Sequence, residues 1–62
     1  MNAKYNQAIE YYRNQAEHEG YSGNMELYEK YKGFAEGYIR GLCAAGVITE
    51  AEMEEKLRYI DV

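Results

Sequence analysis

The chain has 62 residues, a formal net charge of −4, one cysteine, one histidine, and eight tyrosines beside one phenylalanine and no tryptophan. Cys43 is the single cysteine, so an intramolecular disulfide cannot form, and His18 is the single histidine, so a Cys/His zinc site is disfavoured. Self-association is therefore the remaining way to stabilise so small a domain. The acidic balance also disfavours contact with nucleic-acid phosphates, and we expect no direct DNA binding.

The first predicted helix spans residues 3 to 19. Its apolar positions follow the i, i+3, i+4 and i+7 spacing of one buried stripe, which consists of Tyr5, Ala8, Ile9, Tyr12 and Ala16. Tyr11 falls outside this stripe, so we expect its ring to be exposed. Gly20 is the predicted C-terminal stop, and Ser22 or Asn24 is the predicted N-cap of the next helix.

The second predicted helix spans residues 25 to 45 and carries a broad apolar arc on a helical wheel. The arc consists of Leu27, Tyr28, Tyr31, Phe34, Ala35, Tyr38, Ile39 and Leu42. Beside it, small residues recur every four positions, at Gly33, Gly37, Gly41 and Ala45. Each helical glycine costs about 1 kcal/mol relative to alanine, so we expect a close approach that leaves no room for a side chain. The pattern predicts a central helix that contacts its own chain on one side and a second partner on the other.

The third predicted helix spans residues 49 to 60 and has the best-defined start in the chain. Thr49 and Glu52 have the spacing of a capping box. Gly46 is expected to end the preceding helix in the left-handed conformation. An apolar stripe that can fold back on the second helix is formed by Met53, Leu57 and Ile60. The sequence therefore predicts an all-α, three-helix fold in a single domain over residues 1–62.

Residue types that support catalysis are scarce, and we predict no enzymatic activity, no cofactor and no metal. The chain has one serine, one histidine, one aspartate and one cysteine. Cys43 has no basic neighbour in sequence, so its thiol is expected to be inert. His18 ends the first helix, where a cation favours the helix dipole. The third helix would present acids to phosphates if it read DNA, at Glu50, Glu52, Glu54 and Glu55.

The same features indicate where the protein resides. A lone cysteine within an apolar helix suits a reducing compartment. The longest apolar stretch, Leu42–Ile48, is interrupted by Gly46 and is too short for a signal peptide or a membrane span. We therefore expect a cytoplasmic protein that does not contact a membrane.

Two interpretations of the small residues stay open. In the first, which we favour, a helix of a second copy crosses closely at an interface made by Gly33, Gly37, Gly41, Ala45, Phe34 and Tyr38. In the second, a flat ligand such as a cyclic nucleotide rests on the bare backbone between Lys30 and Arg40. Further candidate contacts for a ligand or partner are Glu36, Tyr11, Tyr21 and Tyr59.

Two resemblances add to these expectations. The segment Gly46-Val-Ile-Thr-Glu-Ala-Glu-Met-Glu-Glu-Lys-Leu57 resembles the end of the SHOCT domain, a short helical oligomerisation module, with Met53 in place of the usual aromatic residue. The whole tyrosine-rich chain is similar in style to small helical accessory proteins of phages and mobile elements. The second resemblance implies a protein that acts by binding, often against a host defence system in the host cytoplasm.

The sequence thus favours a non-enzymatic protein-binding protein that works as a homo-oligomer. Two alternatives remain beside this prediction. One is an oligomeric sponge that sequesters a cyclic or other nucleotide, and the other is a purely structural oligomerisation module.

Overall fold

The computed structural model describes residues 3–61, which form three α-helices and no strand. Helix α1 spans Ala3–Tyr21, α2 spans Met25–Ala44 and α3 spans Glu50–Tyr59, and α2 packs against both of the others. The predicted all-α, three-helix fold is confirmed, with α1 two residues longer than expected and the other helix ends within one residue. Residues 1, 2 and 62 of the predicted domain lie outside the described part.

The core is aliphatic and lies where α2 meets its two neighbours. Ile39 is fully buried, and Ile60 is 1% exposed. Around them pack half-buried side chains that include Tyr5, Tyr12 and Tyr38. Tyrosine suits this position because its ring can be buried while its hydroxyl reaches water. The buried apolar residues are Ile9, Ala16, Ala35, Ile39, Leu42, Ile48 and Ile60.

Helix α1 continues through Gly20, so the prediction that Gly20 ends this helix was wrong. The left-handed residue that follows the helix is Gly23, with a φ of +80°. Its N–H donates to the carbonyl of Gly20 at 3.2 Å, and the N–H of Asn24 donates to the carbonyl of Glu19 at 3.0 Å, which is a Schellman motif. Gly20 has a packing reason instead, because a Cβ there would lie 3.2 Å from Cδ1 of Tyr28.

The connection between α2 and α3 has the same kind of turn. Gly46 has a φ of +76°, as predicted for a left-handed helix stop. Its N–H donates to the carbonyl of Cys43 at 3.0 Å, and the N–H of Val47 donates to the carbonyl of Leu42 at 2.9 Å. The last carbonyls of α2 are therefore satisfied within the turn, which directs the chain back along α2.

Both later helices begin at side-chain caps. The side chain of Asn24 accepts a hydrogen bond from the N–H of Leu27 at 3.2 Å. At α3 the predicted capping box is confirmed: Thr49 Oγ1 accepts from the N–H of Glu52 at 3.1 Å, and Glu52 Oε1 accepts from the N–H of Thr49 at 3.0 Å. The hydrogen bond with the Thr49 backbone is the main cause that lowers the pKa of Glu52, and the hydrogen bond with the Thr49 side chain lowers it further. A helix of ten residues is marginal alone, so this cap matters for α3.

An ion pair joins the end of α3 to α2. Lys32 Nζ lies 2.9 Å from Asp61 Oδ1 and donates a second hydrogen bond to the Tyr28 hydroxyl at 3.2 Å. The Asp61 carboxylate and then the Tyr28 hydroxyl raise the pKa of Lys32 above its ordinary value. The hydrogen bond from Lys32 lowers the pKa of Asp61. This pair ties the segment after α3 to the middle of α2.

On its other side the end of α3 is joined to α1. Arg13 Nε donates to the carbonyl of Tyr59 at 3.0 Å, and the guanidinium lies 4.5 Å from the centre of the Tyr59 ring. The Tyr59 hydroxyl donates to the Glu10 carboxylate. Glu17 pairs with Arg13 at 3.3 Å and so helps to hold the arginine in place. The carbonyl and the hydroxyl of Tyr59 are thus both hydrogen-bonded, although the residue is 44% exposed.

We expect Thr49→Ala to lower the free energy of unfolding by about 1 kcal/mol, because the substitution leaves the first turn of α3 without its cap. For a domain of this size the melting temperature should fall by roughly 4–8 °C. Thermal unfolding followed by circular dichroism would measure the change. Thr49→Ser keeps the hydroxyl and should melt close to the wild type, so equal melting temperatures for the alanine and serine variants would contradict the capping argument.

The Lys32–Asp61 pair predicts a sensitivity to acid. The pKa of Asp61 lies below its unfolded value, so the pair stabilises the fold above that unfolded value and loses this contribution as pH falls through the folded pKa. From neutral pH to about pH 3, the unfolding free energy of the wild type should fall more than that of Asp61→Asn. Urea denaturation across this range tests it. Glu54→Gln, which removes an exposed carboxylate outside the pair, should keep the wild-type slope, and an unchanged slope in Asp61→Asn would refute the prediction.

Candidate functional site

On the outer side of α2, small residues recur every three or four positions from Gly33 to Ala45. We define the glycine face as Gly33, Gly37, Gly41, Ala44 and Ala45, all of which are exposed. A Cβ added at Gly33, Gly37 or Gly41 would meet no atom within 4 Å, and none of these three glycines has a positive φ. Neither packing nor backbone conformation within the described chain therefore requires glycine at these positions.

The close approach predicted at these glycines is not made by α1 or α3. Three exposed helical glycines cost about 3 kcal/mol relative to alanine, in a domain whose net stability is on the order of 5–15 kcal/mol. Neither α1 nor α3 covers the glycine face, so the close contact that would explain the glycines is not made inside the described chain. The glycine face is the first part of the candidate site.

An aromatic edge borders the glycine face on the side of α1. The Tyr12 ring lies 5.9 Å from the ring of Phe34 and 6.2 Å from that of Tyr38, in the tilted geometries that aromatic pairs prefer. Phe34 is 47% exposed and Tyr11 is 56% exposed, and Lys30 Nζ lies 5.9 Å from the Phe34 ring centre. We define the aromatic edge as Tyr11, Tyr12, Tyr31, Phe34 and Tyr38.

The exposure of Phe34 differs from its expected place in the buried arc of α2. Its ring lies across the outer surface against Tyr12 and Tyr31 instead of entering the core, since Ala35 and Ile39 already fill the contact between the helices. Exposed aromatic area of this kind is enriched in protein interfaces. Phe34 and Tyr38, which the sequence predicts to share an interface with the small residues of α2, thus lie beside the glycine face.

On the other side of the glycine face, Glu36 and Arg40 line a groove of about 280 Å³ between α2 and α3. The two residues are four apart on one helix, the spacing at which Arg13 and Glu17 pair. Within the described residues, however, Glu36 and Arg40 form no ion pair with each other. Lys30 lies near Phe34 of the aromatic edge instead and does not line this groove, so the structure does not bring together the two cations proposed to border a nucleotide.

The three tyrosines expected to contact a partner lie on separate surfaces. Tyr11 belongs to the aromatic edge, and its exposure confirms the helical phase assigned to it. Tyr21 is 85% exposed at the end of α1, beside a cavity of about 290 Å³ that Tyr28 also lines. Tyr59 lines a third groove, of about 330 Å³, between α1 and α3. These tyrosines do not form a single site.

Across residues 3–61, no three histidine, cysteine, aspartate or glutamate side chains converge in a way that could hold a metal ion. Cys43 is half-buried beside the core, and His18 is exposed near the end of α1. In this part of the chain, none of the helices combines the length and apolar character needed to cross a membrane.

Comparisons with protein-family models, with curated proteins and with solved structures each found no match. The resemblances to the SHOCT domain and to phage accessory proteins therefore stay predictions.

Alanine substitution at Gly37 and at Gly46 should change the free energy of unfolding in opposite directions. Gly37→Ala should raise the unfolding free energy of the monomeric chain by up to about 1 kcal/mol, because helix propensity improves and the added methyl meets open space. Gly46→Ala should lower it by at least a similar amount, because φ is positive there. Urea denaturation at concentrations where light scattering reports a monomer would measure both. A destabilised Gly37→Ala monomer would show that the chain itself covers the glycine face.

Proposed function

We propose that this protein is a non-enzymatic binding protein that self-associates through the glycine face of α2. The observation that carries the proposal is the exposure of three helical glycines that nothing in the described chain requires. A partner helix can approach a bare helical backbone closely, and the dispersion attraction between the two backbones then offsets the lost helix propensity. A second copy of the chain is a partner that is always present, and association supplies the stability that small domains commonly lack.

The geometry of α2 favours a symmetric contact between two copies of this helix. Small residues spaced four apart leave a groove along the helix, and two such surfaces cross at about −50°. Phe34 and Tyr38 of the aromatic edge, whose rings pack against Tyr12, would close one side of this contact. In such an isologous interface each copy contributes the same surface.

The assembled protein acts by binding a protein target, not by transforming a substrate. Tyr11 and Tyr21 stay available outside the glycine face and offer amphipathic contact area. The resemblance to phage and mobile-element proteins is what points to a component of a host defence system as that target.

Self-association is tested by the solution mass. Sedimentation equilibrium should give a dimer or a higher state for the wild type, and Gly37→Leu should give a monomer because its side chain occupies the contact. The leucine variant should keep its helical circular dichroism, since leucine favours helix and no atom lies within 4 Å of the added Cβ.

Glu29→Leu is the matched control, because Glu29 is exposed on α2 and lies outside the glycine face. It should assemble as the wild type does. A wild type that remains monomeric at millimolar concentration would overturn the proposal. Assembly of Gly37→Leu with wild-type affinity would equally exclude the glycine face as the interface.

A further inference from the structure

The groove between α2 and α3 concentrates positive charge in an acidic protein. Its volume is about 280 Å³. Three of the seven lysine and arginine residues of the chain line it, although the chain as a whole has a net charge of −4. Its lining consists of Lys32, Glu36, Arg40, Leu57, Arg58 and Asp61.

Two of these three cations are free to bind a ligand. Lys32 is engaged by Asp61 at 2.9 Å. The side chains of Arg40 and Arg58 make no hydrogen bond or ion pair with any other residue in the range 3–61. They come from different helices and line the same groove, and the planar guanidinium fork matches the two oxygens of an oxyanion.

The charge in the groove favours a singly charged group. Three cations face the carboxylates of Glu36 and Asp61, which leaves one positive charge. One carboxylate neutralises it, whereas a phosphomonoester, with about −1.5 to −2 charge, leaves an excess of negative charge. Among the described residues that line the groove none is aromatic, so they offer a nucleotide base no stacking surface. The half-buried Leu57 provides apolar contact for an aliphatic stem.

We infer that the α2–α3 groove binds a single carboxylate, an aspartate or glutamate side chain presented by a protein partner. Arg40 and Arg58 hold its oxygens, and Lys32, held by Asp61 and Tyr28, adds positive charge within the groove. The groove lies beside the glycine face and has its own lining residues, so the inference does not depend on self-association.

An NMR titration tests this site with N-acetylglutamic acid amide, which carries one carboxylate, and with N-acetylglutamine amide as its neutral counterpart. The carboxylate should shift the backbone amide signals around Arg40 and Arg58, and the neutral compound should not. Inorganic phosphate should bind more weakly than the carboxylate. Equal shifts with both amides, or tighter binding of phosphate, would overturn the assignment.

Variants separate a defined site from general electrostatic attraction. Arg40→Gln and Arg58→Gln should each weaken carboxylate binding about three- to tenfold. Lys30→Gln changes the net charge equally but lies outside the groove, and it should bind as the wild type does. Glu36→Gln should strengthen binding because it removes a competing carboxylate. A uniform loss in all three cation variants would overturn the inference.

Gly37→Leu separates this inference from the proposed function. The variant should keep carboxylate binding with wild-type affinity even when assembly is lost. A loss of carboxylate binding in Gly37→Leu, with the helical circular dichroism intact, would contradict an independent groove.

Discussion

The whole molecule depends on one buried side of one helix. Ala35, Ile39 and Leu42 are the buried residues of α2, and they supply the surface on which α1 and α3 pack. A chain of this length can build only one small core, so neither neighbour has an alternative place to bury its apolar residues. The outer side of α2 takes no part in this core and is left for other contacts.

The short third helix shows how this core positions the charged groove. No residue within α3 is fully buried, and the buried Ile60 lies just beyond its last turn. The ion pair of Lys32 with Asp61 and the contacts of Arg13 with Tyr59 hold this end from two sides. Arg58 directly precedes Tyr59 and lies three residues before Asp61, so the interactions that dock α3 also set where its guanidinium can reach.

Local patterns predicted most of the fold and only part of the site. Helical periodicity and the predicted caps, at Ser22 or Asn24 and at Thr49, indicated three helices because these signals act over a few residues. Gly20 was wrongly predicted to end the first helix, because the local sequence does not distinguish a glycine needed for a left-handed φ from one needed beneath the Tyr28 ring. The groove could not be predicted, since Arg40 and Arg58 line the same groove only because α3 packs on α2. The prediction that grouped Phe34 with the small residues did not indicate its exposure, which depends on which neighbours fill the core.

The bare outer side of α2 also has an evolutionary consequence. Alanine at these glycine positions would meet open space and improve helix propensity, so selection for the stability of the single chain alone would favour it. Under the proposed self-association, a competing selection for close contact would keep glycine at these positions. Descendants that no longer need the contact should drift towards alanine there, whereas the glycines with positive φ should be retained in both groups.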